Sequence, residues 1–164
     1  MRDALQRGAL VLLLVLLVVG AWAAFAPRYF YDEFPGGGRA WVAVDGPYNE
    51  HLVRDLGALS LALGVVTLVA AVTLARSTVV AAALGWLVYG IPHLVYHLRH
   101  LDVYERSDQI ANVATLSVAP ALALVALVSA LGPDARMRAS TLRSSASTTS
   151  ASTDPTGRSS ATST

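Results

Sequence analysis

Four long stretches of the sequence carry no charged residue, and they constrain the fold more strongly than any other feature. They cover residues 8–26, 56–75, 78–96 and 110–131. As helices they would be roughly 28–33 Å long, close to the hydrocarbon thickness of a bilayer at about 30 Å. Backbone polar groups in lipid must be satisfied within the segment, and the alternation typical of barrel strands is missing. The sequence therefore predicts an all-α, polytopic four-helix membrane bundle.

The composition excludes several classes of protein. Of the 164 residues, 54% are hydrophobic and 14% are charged, whereas soluble domains carry about 25% charged residues. The net charge of +1 argues against the broad basic surface of a nucleic-acid-binding protein. The sequence has no cysteine, which excludes disulfides, thiolate nucleophiles and iron–sulfur clusters. The predicted partner is the lipid bilayer, with no nucleic acid.

The first apolar run has an alternative interpretation as a secretory signal peptide. Arg2 and Arg7 form a basic start, and Ala21-Trp22-Ala23 resembles a signal-peptidase site. Cleavage there would leave three spans. The apolar run continues past this site to full spanning length, so four spans are favoured.

The distribution of arginine predicts the orientation. With four spans, the side of the membrane that holds the N-terminus carries seven arginines and the other side carries five. The positive-inside rule then places both termini in the cytoplasm, in a multi-pass protein of the cell membrane.

Two segments lie outside the predicted spans. Residues 27–46 form an outer loop that contains five aromatic residues; it either lies along the membrane surface and caps the bundle or covers a site as a lid. In residues 139–164, 16 of the 26 residues are Ser or Thr. Such a segment cannot bury a core, so we expect a bundle over 1–138 followed by a disordered cytoplasmic tail.

Histidines form a stripe on the third predicted span. His93, His97 and His100 are spaced i, i+4 and i+7, which places them on one helix face within about 60°. The second and third spans are joined by residues 76–78 only, so they must pack as an antiparallel hairpin. Counting from that turn brings His51 and Asp55 to about the level of His97 and His100.

Further polar residues descend from the same side. Asp108, Asn112 and Thr115 follow the same i, i+4, i+7 spacing on the fourth span, and Asp102 lies just before it. We therefore expect polar residues of three helices to converge in the outer half of the bundle. Imidazoles one turn apart can share a metal ion, with a carboxylate as a further ligand or as support, so His51, His93, His97 and His100 are candidate ligands.

Three interpretations of this cluster stay open. It could bind a metal ion or haem, with His51 and His97 as the candidate axial pair. It could form a polar pocket for a small molecule or a lipid headgroup. It could also be a structural hydrogen-bond network supported by Asp55, Asp102, Asp108 and Asn112.

Three segments carry a resemblance to a known group of proteins: FYDEFPGGGRAWV, PYNEHLVRDLGAL and PHLVYHLRHLD. Together they resemble small four-helix integral membrane proteins of actinobacteria that are loosely DoxX-like, over residues 25–131. The arginine-only, Ala- and Val-rich composition is typical of a high-GC genome. The resemblance implies a four-helix membrane bundle and carries over no catalytic residue.

Two functions follow from these observations. The first is a membrane protein with an outward-facing His/Asp cluster that binds a metal ion or haem. The alternative is a non-enzymatic accessory or lipid- or quinone-binding subunit, with a homo-oligomer or another membrane protein as a possible partner. Four histidines are too few for a di-iron membrane hydroxylase, and no serine-triad signature is present, so an enzyme is disfavoured.

Overall fold

The computed structural model of the protein describes residues 2–132 as an all-α bundle with one small hairpin. The predicted tail, 139–164, lies outside the described residues, as does the end of the predicted bundle domain. The elements in chain order are α1 (Arg2–Val15), α2 (Leu17–Phe25), α3 (Pro27–Glu33), β1 (Pro35–Gly36), β2 (Arg39–Ala40), α4 (Trp41–Asp45), α5 (Glu50–Thr73), α6 (Arg76–Arg99), a 3-10 turn (Leu101–Val103) and α7 (Arg106–Leu131).

The prediction of four long apolar helices is confirmed. Within the described residues, four segments are long and apolar enough to cross a membrane: Asp3–Phe25, Glu50–Thr73, Arg76–Arg99 and Arg106–Leu131. Three of them begin four or more residues before the charge-free runs that predicted them, because the first turns of each helix carry polar side chains. Large apolar residues on the outer faces are exposed, among them Val18, Val72 and Val88, as a lipid-facing surface requires.

The first of these segments consists of two helices that are separated at Leu16. The α-helical hydrogen bonding is interrupted there, and Leu16 N–H donates to Leu13 over 3.2 Å. Before Leu16, α1 packs against α7 and α5. After Leu16, α2 packs against α5. The interruption therefore allows one segment to follow two different neighbours.

The α2–α5 contact is close because small residues face each other. A Cβ atom on Gly57 would overlap the backbone of Ala24, and one on Gly20 would lie 2.7 Å from Cβ of Ser60. Small residues of this kind let helix backbones approach in a membrane, where packing drives association.

Two boundaries differ from the sequence prediction. Pro47 is suited to the first position of a helix, but α5 begins at Glu50, because the side chain of Asn49 accepts a hydrogen bond from the N–H of Leu52 and caps the helix. The predicted linker, 76–78, belongs to α6 instead. The turn that joins α5 to α6 is Leu74 and Ala75, and Leu74 adopts the left-handed conformation with φ 49°.

The bundle is tightly packed at the end away from residues 27–46. Leu10, Leu13 and Val79 are completely buried there. One buried hydrogen bond crosses this core: Nε1 of Trp86 donates to the hydroxyl of Thr67 over 2.8 Å. Because both groups are buried and paired, the helices α5 and α6 are fixed in register at mid-bundle.

The predicted outer loop, 27–46, is folded rather than irregular, and we refer to it as the cap. Phe30 of α3 is 2% exposed and packs with Ala23 and Val53 of the bundle. Its ring lies 4.7 Å from that of Phe34 and 5.6 Å from that of Trp22. Aromatic packing therefore holds one side of the cap on α2 and α5, as expected for a segment that caps the bundle.

A short hairpin forms the tip of the cap. β1 and β2 pair antiparallel, with Pro35 opposite Ala40. Between them, Gly37 and Gly38 have φ values of 69° and 77°, which glycine adopts without strain and which a tight hairpin turn requires. The run of three glycines thus produces the reversal that returns the chain to Trp41.

Candidate functional site

A column of aromatic and imidazole rings runs along α6 towards the cap. The ring centroids of Trp86 and Tyr89 are 6.2 Å apart, Tyr89 stacks on His93 at 5.4 Å, and His93 meets His97 edge to face at 4.9 Å. The side chain of Tyr89 also interacts with Ser60 on α5. The spacing that predicted a stripe through His93 and His97 is therefore confirmed for these two histidines.

The burial of the side chains decreases along this column. His93 and His97 follow Trp86 by seven and eleven residues, so each points within about 20° of the direction of Trp86. Trp86 is 2% exposed, yet His93 and His97 on the same face are only half-buried. We refer to the half-buried surface that Tyr89, His93 and His97 form as the crevice.

Tyr104 links the crevice to the cap. It is buried, its hydroxyl donates to the carbonyl oxygen of Trp41 over 3.1 Å, and its oxygen lies 3.4 Å from Nδ1 of His97. The hydroxyl has a single hydrogen, which this bond to Trp41 uses. Nδ1 of His97 is therefore the donor in the second contact and carries a hydrogen.

Asp45, at the end of α4, is the charged group of the cap that acts on this site. Its carboxylate interacts electrostatically with His93, His97 and Tyr104. Burial above all, together with the charges of Asp45 and Tyr96, raises the pKa of Tyr104 to about 12. Tyr104 is therefore a neutral hydrogen-bond donor throughout the physiological range.

An ion pair holds the hairpin of the cap on α7. Nε of Arg39 lies 3.1 Å from Oδ1 of Asp108, although their orientation is not that of a hydrogen bond. The side chains are 44% and 21% exposed, so water screens the pair only in part. One turn further along α7, Asn112 is 2% exposed and its Oδ1 has no hydrogen-bond partner in the described part of the chain.

The predicted convergence of polar residues from three helices is not observed for α5. Nδ1 of His51 pairs with Oδ2 of Asp55 at 2.9 Å, and these side chains are 84% and 64% exposed. No hydrogen bond or ion pair within residues 2–132 joins either of them to α6. His51 and Asp55 are therefore each other's partners on α5, and both side chains face outward.

Three other residues of the predicted cluster also lie outside the crevice. His100 follows the end of α6, where Nδ1 contacts the carbonyl oxygen of Tyr96 at 2.7 Å and the two rings stack at 4.2 Å. Asp102 is exposed in the 3-10 turn. Thr115, the last residue of the predicted α7 stripe, is exposed and bonds to its own helix backbone at Ala111.

The four-histidine metal set is not assembled. Among the residues that the structure describes, no group of three or more His, Cys, Asp or Glu side chains is placed to hold a metal ion. The reason is geometric: His93 and His97 face the crevice, while His51 and His100 are exposed and bonded within their own helix or turn.

Three residues of the cap were missed by the sequence analysis. Arg39, Trp41 and Asp45 supply the contacts that we assigned to the second span. The signal available was the density of aromatic and charged residues in 27–46, which indicated a folded segment without indicating what it faces.

No protein-family model, curated protein or solved structure matches this chain. The geometry of the crevice is therefore the basis for assigning a function.

Proposed function

We propose that the protein is a non-enzymatic binding protein of the cell membrane and that its crevice holds a small lipid-soluble molecule. The observation that carries this proposal is the change in exposure along one face of α6. Trp86 is buried there, whereas His93 and His97 are half-buried. Ligand sites combine mostly apolar and aromatic walls with a few convergent polar groups, and the crevice has this make-up.

The depth of the crevice favours a ligand that arrives from the bilayer. α6 has 24 residues, so it is about 36 Å long and extends about 3 Å beyond each face of a 30 Å hydrocarbon core. His93 precedes the end of α6 at Arg99 by six residues, or about 9 Å. It would therefore lie about 6 Å inside the hydrocarbon region, where an amphiphile is more soluble than a free polar metabolite.

An organic ligand is better supported than a metal ion or haem. Two histidines on one helix, with no third ligand assembled within residues 2–132, leave a metal ion with too few protein ligands. Haem with two axial histidines would need His51 opposite His97, and His51 is paired with Asp55 on the exposed face of α5.

Filling the crevice tests the proposal. The probe is radiolabelled dodecanol, titrated into protein in dodecyl maltoside micelles and corrected for protein-free micelles. We expect saturable binding to the wild type, loss of binding in His93→Trp, and retention in Val88→Trp, a change on the exposed opposite side of α6. Equal binding to His93→Trp and the wild type, or no saturable binding to the wild type, would contradict the proposal.

The arginine bias supports a proposed orientation with both termini in the cytoplasm and the cap outside. The resemblance to small actinobacterial four-helix membrane proteins is compatible with this arrangement. Topology reporters fused at Gly37 and at Thr148 should report opposite sides of the membrane. Reports from the same side would refute the proposed orientation but would not bear on the proposal that the crevice binds a ligand.

A further inference from the structure

We propose that Nε2 of His97 accepts a hydrogen bond from the ligand of the crevice, so that this ligand is an amphiphile with a hydroxyl group, an alcohol or a phenol. The inference rests on the proposed function, that the crevice holds a lipid-soluble molecule, and adds the chemical group by which that molecule is recognised. Tyr104 acts through His97 as a positioning residue.

The first argument is a chain of hydrogen bonds that determines which nitrogen of His97 carries the hydrogen. The hydroxyl of Tyr104 donates to the carbonyl oxygen of Trp41 over 3.1 Å, and Nδ1 of His97 lies 3.4 Å from the same hydroxyl oxygen. A carbonyl oxygen can only accept, so the single hydrogen of the hydroxyl goes to Trp41 and the hydroxyl accepts from Nδ1. A neutral imidazole carries one hydrogen, and Nδ1 holds it. Nε2 of His97 is therefore left with a lone pair.

The second argument is that a ligand can reach this lone pair. Nε2 of His97 has no hydrogen-bond partner within residues 2–132. It is also not enclosed by the protein, unlike the polar side-chain atoms that are buried without a partner in the described part of the chain. Those atoms are Nε1 of Trp22, Nε1 of Trp41, Oδ1 of Asp108 and Oδ1 of Asn112.

The third argument is the level of His97 in the membrane. His97 precedes the end of α6 at Arg99 by two residues, or about 3 Å. Because α6 extends about 3 Å beyond each face of the hydrocarbon core, His97 would lie at the boundary with the headgroups. His93 and Tyr89 continue the same wall about 6 and 12 Å deeper, with ring centroids 4.9 and 5.4 Å apart along it. An amphiphile with its hydroxyl at His97 would lay its apolar chain along these rings.

The same lone pair disfavours ligands that only accept hydrogen bonds. The oxygen of an ether or a quinone would face Nε2 of His97 lone pair to lone pair, and a carboxylate would add a negative charge. A site with a polar group placed for a donor rejects an analogue that lacks the donor, because its own group is then left unpaired. The crevice should therefore distinguish an alcohol from an ether of the same size, and a quinol from its quinone.

Two isomeric probes test this preference: dodecanol, which can donate a hydrogen bond, and undecyl methyl ether, which can only accept one. Each is titrated into the full-length protein in dodecyl maltoside micelles at pH 8, above the ordinary histidine pKa of about 6.5, and corrected for protein-free micelles. We expect the wild type to bind dodecanol at least about fivefold more tightly than the ether, as one hydrogen bond implies. In His97→Phe, which keeps an aromatic ring in the crevice, dodecanol should bind no better than the ether. His100→Phe, a matched change at the exposed end of α6, should keep the full preference.

Nitrogen NMR of protein labelled with 15N in its histidines tests the position of the hydrogen without any ligand. The chemical shift of a ring nitrogen depends strongly on whether it carries a hydrogen, and the signals of His97 are those missing from His97→Phe. At pH 8 we expect a hydrogen on Nδ1 and none on Nε2 in the wild type. Tyr104→Phe removes the acceptor of the Nδ1 hydrogen, so both tautomers should appear and the preference for dodecanol should fall. A hydrogen on Nε2 in the wild type would overturn the inference.

Each other outcome of the titrations is decisive. Equal affinities of the wild type for dodecanol and the ether would overturn the inference and leave the proposed function in place. A full preference that survives in His97→Phe would also overturn it. If His97→Phe binds neither probe, Tyr104→Phe replaces it: a reduced preference supports the inference, and an undiminished one refutes it. Failure of both probes to bind the wild type would refute the proposed function and this inference together.

Discussion

The hydroxyl of Tyr104 donates to the carbonyl oxygen of Trp41 over 3.1 Å, although 63 residues separate the two in the sequence. Tyr104 follows the 3-10 turn after α6, and Trp41 begins α4 of the cap. The bond therefore fastens the cap directly above the crevice. The side chain of Gln109 supports it from α7 by donating to the carbonyl oxygens of Leu101 and Tyr104 at 3.1 and 3.0 Å.

Tyr104→Phe should loosen the cap without unfolding the bundle. The change keeps the buried ring and removes the hydroxyl that donates to Trp41 and accepts from Nδ1 of His97. Only the bond to Trp41 reaches the cap, so the cap loses one hydrogen bond, about 1 kcal/mol. Amide hydrogen exchange in residues 27–46 should become about fivefold faster, while exchange in α5 stays unchanged. Tyr29→Phe, which alters an exposed tyrosine of the cap, is the matched control and should exchange like the wild type.

Alkaline pH should release the same contact. Burial, together with the charge of Asp45, raises the pKa of Tyr104 from 10.0 to about 12. A group whose pKa is raised on folding contributes stability that is complete below its ordinary pKa and is lost as the pH rises through the folded value. The cap should therefore stay docked up to pH 10 and loosen between pH 10 and 12. The phenolate absorbance of the wild type minus that of Tyr104→Phe reports this titration; a midpoint near 10 in the difference would contradict the burial of Tyr104.

Gly57→Ala should destabilise the contact between α2 and α5. The new Cβ atom would overlap the backbone of Ala24, and helix backbones can yield only by moving apart. Overpacking of this kind costs about 1–3 kcal/mol, so the midpoint of thermal unfolding in detergent should fall. Gly8→Ala is the control, since nothing lies within 4 Å of a Cβ atom there. An equal midpoint for the two variants would show that α2 and α5 do not approach so closely.

The bundle could be predicted from the sequence because its signal is local. A charge-free run long enough to span a bilayer specifies a helix whatever its neighbours are, and all four runs are long helices. The precise starts were less predictable. Pro47 is suited to a first helical turn, but Asn49 offers a side-chain cap two residues later, and the helix begins after it.

The site was only partly predictable. The level of a residue along the bundle and the direction in which its helix points the side chain are separate quantities, and the sequence gives only the first. Counting residues from the α5–α6 turn gives the level of Asp55 and His97 along the bundle, but not the direction in which α5 turns each side chain. Gly57, Gly64 and Thr67 occupy the buried face of α5, and His51 and Asp55 lie on an exposed one. The partner that does act on His97 is Asp45, in a segment without helical periodicity, so no spacing rule could place it.

The position of the cap above the crevice is tested most directly by exchanging the charges of Arg39 and Asp108. Arg39→Asp and Asp108→Arg each place like charges together, so each alone should increase amide exchange in residues 27–46. The double variant restores opposite charges across the same gap, and double-variant coupling reports only residues in contact. Exchange in the double variant should return most of the way to the wild-type rate. If exchange in the double variant is instead increased by the sum of the increases in the two single variants, the cap does not rest on α7.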